Sequence, residues 1–259
     1  MVELLIDPFI DYLFMRRALV GSVVVSLGAV PVGLFMTLRR MSLTGDAMAH
    51  AILPGAAIAY IISGLSLLGL TIGGVLAGLV VAALAGLVSR SSQLHEDTSL
   101  AAFYLLSLVS GVLVISLKQS NIDLFHLLFG NILALNEAAL SLLAFISSLT
   151  LLIMAVLYRP LVIECADPTF LRRSGYASAT AHYGFLFLMV INLVAGFHAL
   201  GTLMAVGIMV LPATAARFWA RSMDWLLVFA LLIAFAGCYV GLIRVIKKSR
   251  WANIPIIGF

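Results

Sequence analysis

The sequence predicts an all-α integral membrane protein, with about eight transmembrane helices in one membrane domain over residues 1–259. Two observations lead to this class. Of the 259 residues, 63% are apolar and only 10% are charged, whereas a soluble domain carries about 25% charged residues. Several apolar stretches also reach the roughly 20 residues that a helix needs to cross a bilayer core about 30 Å thick. So few charges cannot cover a water-facing surface, and the chain is expected to face membrane lipid.

Eight stretches are predicted to span the membrane. They are residues 16–38, 45–64, 66–89, 98–117, 138–157, 182–198, 200–216 and 225–246. Residues 183–216 must form two helices, because a single helix of that length would be about 51 Å long, too long for one span. A further apolar piece, residues 122–136, is too short to span and is expected to be re-entrant or interfacial.

Arginines predict the orientation of these spans through the positive-inside rule. Eight of them fall on one side, which is therefore the predicted cytoplasmic side: Arg39, Arg40, Arg90, Arg159, Arg172, Arg173, Arg217 and Arg221. The basic tail after residue 243 falls on the opposite side and contradicts the rule. The net charge of +4 reports topology in such a protein, so no nucleic-acid partner is expected.

The longest polar connection is predicted at residues 158–181, on the cytoplasmic side. Asp167 followed by Pro168 is typical of a helix N-cap with proline at the first helical position. Gly175 fits the end of that helix about two turns later. The connection is thus predicted to contain a short surface helix that carries Arg172 and Arg173, and an ordinary loop helix is the alternative interpretation.

Asp46 and His50 are ionisable residues within an apolar stretch. Residues four apart on an α-helix share a face, so the carboxylate and the imidazole point the same way. An ionisable residue at membrane depth costs roughly 2.5–3.5 kcal/mol on insertion scales and is tolerated best in the bundle interior or beside a hydrated path. The pair is therefore expected to face a passage, although a hydrogen bond that holds the helix and a proton relay are alternatives.

Pro54 lies one further turn along the same face. Its ring nitrogen cannot donate to the carbonyl of His50, so the helix is predicted to break there, and Pro212 is the second predicted helix break. Imidazole, carboxylate and a free backbone oxygen suit a divalent metal such as zinc or manganese. One chain supplies two side-chain ligands, and a copy related by a twofold axis would bring the total to four.

Residues 43–55 closely resemble the helix-two signature Gly-Asp-Ala-x-x-His-x-x-x-Pro-Gly of the zinc/manganese/iron ABC transporter permeases. Other segments resemble the same family in the same order: residues 96–98, 123–134, 167–175 and 201–217. The resemblance runs over about residues 14–243. It weakens at the tail, where the family usually continues into a Leu-Pro-Ser-Gly turn and this chain instead has a basic segment.

The resemblance implies a bacterial inner-membrane permease that transports a divalent metal, with zinc favoured and manganese or iron as alternatives. Two copies would form the pore, dock two ATPase subunits, and receive the ion from an extracytoplasmic metal-binding protein. Asp46 and His50 would line the transit site. The cytoplasmic coupling helix would contain Asp167, Pro168, Phe170, Arg172, Arg173 and Gly175.

No enzymatic activity and no permanently bound cofactor are expected. The sequence has no G-x-x-x-x-G-K-[ST] loop, so ATP is expected on the partner chain. Asp123 and His126 are a candidate metal entry point, with interfacial hydrogen bonding as the alternative. The competing functions are an ABC permease for a larger iron chelate or haem and a proton-coupled metal carrier. A membrane metalloprotease would need a motif such as H-E-x-x-H, which the sequence lacks.

Overall fold

The computed structural model describes residues 12–64, 66–91, 96–117, 135–166 and 178–251, and these ranges are helical with short connections. This confirms the all-α class. The helices of these ranges are α1 (Leu13–Leu38), α2 (Ser42–Ala51), α3 (Leu53–Ser63), α4 (Leu67–Ser91), α5 (Glu96–Leu117), α6 (Glu137–Ala166), α7 (Ser178–Leu200), α8 (Thr202–Ala216) and α9 (Met223–Trp251).

Six stretches of the described residues are long and apolar enough to cross a membrane, when α2 and α3 are taken together as one divided crossing. The other two predicted spans correspond to α5 and α8, whose apolar segments are shorter. Large apolar side chains cover the outside of the bundle, among them Ile62, Leu106 and Leu211. Such a surface is suited to lipid, and the chain is a multi-pass membrane protein.

Helix α1 lies at the centre and contacts α6, α7, α8 and α9. Its closest neighbour is α8, because a Cβ atom added at Gly33 would lie 1.7 Å from the carbonyl oxygen of Met209. Small residues allow this backbone-to-backbone approach between membrane helices. A similar contact joins α3 to α4, where a Cβ atom at Gly55 would lie 2.1 Å from the carbonyl oxygen of Gly73.

A buried amide links α6 to α7 inside the bundle. Asn192 Nδ2 donates to the hydroxyl of Thr150 and to the carbonyl oxygen of Leu188, each at 2.8 Å. Both donor hydrogens of the amide therefore have partners, as a polar side chain buried within a membrane protein requires.

Arginine–glutamate pairs join α1 and α6 near both of their ends. Arg17 pairs with Glu137 at 2.6 Å, and Arg39 pairs with Glu164. We name the two ends of the bundle after these arginines. The Arg39 end holds the last turns of α1, α6 and α8 and the first turn of α7, and the positive-inside rule predicts that it faces the cytoplasm.

Helix α6 is longer than the sequence predicted. The predicted span ended at residue 157 and a loop was expected from residue 158, but α6 continues through Pro160 to Ala166. Proline removes only one backbone hydrogen bond here, to the carbonyl of Val156. Leu157 and Leu161 stay buried on the same side of the helix, so packing holds the last two turns in place.

The expected break at Pro212 is also wrong. Helix α8 runs without interruption from Thr202 to Ala216 with Pro212 inside it. Pro212 is buried, and the packing of α8 against α1 and α9 keeps the helix continuous despite one missing hydrogen bond.

Two other predictions concern segments beyond the described ranges. Nearly all of the piece predicted as re-entrant, residues 122–136, lies outside the described residues. The predicted surface helix at residues 167–175 also lies outside them. Both ends of the polar connection predicted at residues 158–181 are helical, since α6 extends to Ala166 and α7 begins at Ser178.

Candidate functional site

A tight turn between α1 and α2 sets the position of the candidate site. The N–H of Met41 donates to the carbonyl of Met36 at 2.9 Å, and the N–H of Arg40 donates to Thr37 at 3.3 Å. These two bonds form a Schellman motif, which ends a helix with one left-handed residue. Arg40 occupies that position with φ of 62°, where glycine is the usual residue. Helix α2 therefore starts from a defined hydrogen-bonded turn.

One face of α2 packs into the bundle, and the other face is open. Thr44, Met48 and Ala51 are buried. Asp46 and His50 lie on the opposite side, with 60% and 29% of their side chains exposed. The helix contacts α5, α7 and α8, and we call the Asp46 and His50 side chains on its open face the polar stripe.

The carboxylate and the imidazole lie next to each other, as the spacing predicted. Asp46 Oδ1 is 3.9 Å from His50 Nε2, which is too long for a hydrogen bond. A metal ion with bonds of about 2.1 Å to both atoms would hold them about 3.0–3.4 Å apart. Small side-chain rotations are enough to close that gap, and both groups remain available to a ligand.

The chain divides into two helices at Ile52, two residues before Pro54, as predicted. The N–H of Ile52 points to the carbonyls of Met48 and His50. Because Pro54 has no N–H, the carbonyl of His50 loses its usual partner four residues later. The hydroxyl of Ser107 on α5 donates to the carbonyl of Ala51 at 3.0 Å. The opened backbone is thus supported from α5.

Helix α5 also fixes the position of Pro54 itself. A Cβ atom added at Gly111 would lie 2.8 Å from Pro54 Cγ, so the glycine allows the proline ring to lie directly against α5. Together with the Ser107 hydrogen bond, this contact holds the junction of α2 and α3 at a fixed height in the bundle.

Apart from the two prolines, the other residues predicted for the site lie outside the described ranges. Within the described ranges, no group of three or more His, Cys, Asp or Glu side chains could hold a metal ion. The possible entry residues Asp123 and His126 lie outside the described residues. The predicted coupling residues lie outside them as well: Asp167, Pro168, Phe170, Arg172, Arg173 and Gly175.

Sequence reasoning missed a buried charged pair at the Arg39 end. Arg39 Nη2 binds Glu164 Oε2, and their side chains are only 9% and 15% exposed. Arg39 was interpreted only as a marker of topology. Glu164 was assigned to a loop, and it is 125 positions away in the chain. No local pattern relates two residues so far apart.

Comparison with known proteins supports the fold and the family of the chain. Residues 11–252 match the family described as the ABC 3 transport family. The manganese transport system membrane protein MntC of Halalkalibacterium halodurans is 31% identical, and the match covers 97% of this chain and 86% of that protein. The chelated iron transport system membrane protein YfeD of Yersinia pestis is 30% identical, with 92% and 79% covered.

A solved structure agrees with this relationship. PsaBC from Streptococcus pneumoniae in complex with Fab has a chain that superposes with a TM-score of 0.78 at 26% sequence identity. The superposition covers 99% of this chain and 96% of that chain. Because the family match and the shared fold both extend over nearly the whole sequence, the chain belongs to the ABC 3 transport family and is a multi-pass membrane permease.

Proposed function

We propose that the chain is the pore-forming subunit of an ATP-driven importer of a divalent transition metal, with Asp46 and His50 as ligands of the ion in transit. The observation that carries this proposal is the open, adjacent pair on α2, with 3.9 Å between carboxylate oxygen and imidazole nitrogen. Carboxylate oxygen suits hard ions such as manganese, and imidazole suits zinc and iron.

Manganese is the metal that we propose first. Several relatives are named for manganese transport, including MntC of Halalkalibacterium halodurans and ScaB of Streptococcus parasanguinis, each at least 30% identical to this chain. The sequence alone had favoured zinc. A site with carboxylate as well as imidazole ligands fits manganese at least as well, because manganese prefers oxygen donors.

We further propose that two copies of the chain face each other across the stripe of Asp46 and His50. A carboxylate exposed in the middle of an apolar surface would be costly against lipid. A twofold-related copy would cover the stripe and bring two carboxylates and two imidazoles to one ion. Light scattering of the detergent-solubilised protein, with the detergent mass subtracted, checks for two copies.

The energy is proposed to come from ATPase subunits bound at the Arg39 end, and the ion from a metal-binding protein at the Arg17 end. Residues 167–175 are proposed as the segment that the ATPase moves. Membership of the ABC 3 transport family and the absence of a nucleotide-binding loop from the sequence support an ATPase on a separate chain.

Uptake of radioactive manganese by cells tests the site. Asp46→Asn removes the charge of the carboxylate ligand, and His50→Gln removes the imidazole ligand. We expect uptake to fall at least about tenfold, because the loss of a residue that only supports a metal ligand already costs about tenfold. Asp224→Asn is the matched control, because Asp224 is in the first turn of α9, away from α2. Immunoblots of membranes must show equal protein for all variants. Wild-type uptake by both site variants would overturn the assignment.

Competition distinguishes manganese from the second candidate, a chelated iron substrate, which the name of the YfeD relative supports. An excess of unlabelled free manganese should suppress uptake more strongly than zinc or an iron chelate does. Stronger suppression by the chelate would show that the chelate, and not manganese, is the substrate. Such a larger substrate does not need a two-ligand site on α2.

A further inference from the structure

The Arg39 side chain is enclosed where several helices meet. Arg39 Nη2 binds Glu164 Oε2 on α6. The guanidinium also lies over the ring of Phe185 on α7, 4.5 Å from the ring centroid, and Phe185 is fully buried. This is a cation–π distance. One side chain at the end of α1 is thus fixed by a carboxylate on one neighbouring helix and by an aromatic ring on another.

Stability alone does not account for a charged pair at this position. Removing two charges from water is costly, and well-packed apolar residues often replace such a pair without loss of stability. Arg39 Nε also lacks a hydrogen-bond partner, so the arrangement is not fully satisfied. What the pair supplies, and an apolar contact does not, is a directional link that keeps the end of α6 in register with the end of α1.

The Arg39–Glu164 pair lies only a few residues along the chain from each of two proposed functional segments, the ATPase-contacting segment and α2. Glu164 is three residues before Asp167, where the proposed ATPase-contacting segment begins. Arg39 is seven residues before Asp46. Between Arg39 and α2 the chain forms the Schellman turn, whose two backbone hydrogen bonds restrict movement of α2 relative to the end of α1. The end of α6 and the start of α2 are therefore connected through one buried ion pair.

A second arginine holds the same helix end. Arg217 Nη1, just after α8, lies 3.5 Å from the carbonyl oxygen of Thr37 in the last turn of α1. Cations near the carboxyl end of a helix interact favourably with its unpaired carbonyls. The last turn of α1 is thus held from α6, α7 and α8 while α2 leaves from it.

We infer that Arg39 and Glu164 are positioning residues that pass movement of the end of α6 to α2, and so to the Asp46 and His50 pair. This inference rests on the proposed function. It assigns to the buried pair the coupling between ATP hydrolysis on the partner chain and metal movement, without any contact to the metal or to ATP.

The test uses the permease assembled with its ATPase subunits in proteoliposomes. Three quantities are measured for each variant: manganese bound without ATP, ATP hydrolysed, and manganese transported. Arg39→Met together with Glu164→Leu removes the link without leaving an unpaired buried charge. We expect binding and hydrolysis to stay within about twofold of wild type and the manganese transported per ATP to fall about tenfold, within the range found for residues that modulate coupling.

Arg17→Met together with Glu137→Leu is the matched control, since it removes the pair that joins the same two helices near their other ends. Its transport per ATP should equal that of wild type. Transport per ATP that is unchanged in the Arg39 and Glu164 double variant would overturn the inference. A parallel fall of binding, hydrolysis and transport would overturn it too, because that is the result of a purely structural role. Wild-type complexes that move no manganese with ATP would instead refute the proposed function itself.

Discussion

The two ends of the α1–α6 pair use the same chemistry in different surroundings. At the Arg17 end the partners are 30% and 83% exposed, and at the Arg39 end they are 9% and 15% exposed. An exposed ion pair contributes about 0–1 kcal/mol because water and salt compete with it. In a buried pair, each charge depends on its partner. Burial, and not the identity of the residues, decides which end tolerates change.

The largest expected effect comes from breaking the buried pair on one side only. Glu164→Gln leaves the mostly buried Arg39 guanidinium without a countercharge, and we expect a destabilisation of up to about 3–5 kcal/mol. Glu137→Gln at the other end should cost less than about 1 kcal/mol. Thermal unfolding of both variants in the same detergent checks this, as a difference in apparent melting temperature. Equal losses at the two ends would show that burial does not separate the two pairs.

Glycines on α1 extend the comparison from charge to packing. Gly33→Ala forces a methyl group against the backbone of α8 at Met209, and backbone cannot move aside as a side chain can. We expect a loss of about 1–3 kcal/mol, as for overpacked cores. Gly21→Ala, nearer the Arg17 end, meets only side-chain atoms, those of Leu135 at 2.7 Å and Leu140 at 3.6 Å, and should cost less. Thermal unfolding measures both, and a larger loss for Gly21→Ala would contradict the packing argument.

The smallest expected effect is a gain at the turn after Arg39. The left-handed conformation of Arg40 costs a non-glycine residue roughly 1–2 kcal/mol, and Arg40 is exposed. Arg40→Gly removes that strain but makes the unfolded chain more flexible. The net result should be a stabilisation of about 0.5 kcal/mol or a neutral change. A rise or no change in melting temperature fits this prediction, whereas a clear fall would mean that the Arg40 side chain stabilises the turn.

Composition was enough to predict the fold class, and the apolar stretches were enough to predict most helix positions. Apolar stretches of membrane length are a strong signal, because lipid forces backbone hydrogen bonds into helices. The spacing of Asp46, His50 and Pro54 likewise predicted a shared face and a divided helix. These features depend on residues close together in the chain, and local sequence contains that information.

The sequence did not reveal what depends on distant contacts. Pro160 and Pro212 carry the local signal of a helix break, but burial of their helices against neighbours keeps both helices continuous. Glu164 was predicted to lie in a polar loop after Arg159 and Pro160, and only the packing of α6 against α1 brings it to Arg39. The opening at Pro54 differs from these prolines because Ser107 compensates the exposed backbone from α5.

The shortness of α2 has a mechanical consequence. This ten-residue helix has a turn at one end, at Arg40, and a helix junction at the other, at Ile52. Gly45 of α2 packs against α1 through a flexible group, because the atom nearest to a Cβ added there is the tip of the Met36 side chain. A rotation of 30° about its axis would carry side-chain tips, about 5–6 Å from the axis, through roughly 3 Å. That arc exceeds a metal–ligand bond, so under the proposed function a modest twist of this one small segment would be sufficient to separate Asp46 and His50 from a bound ion.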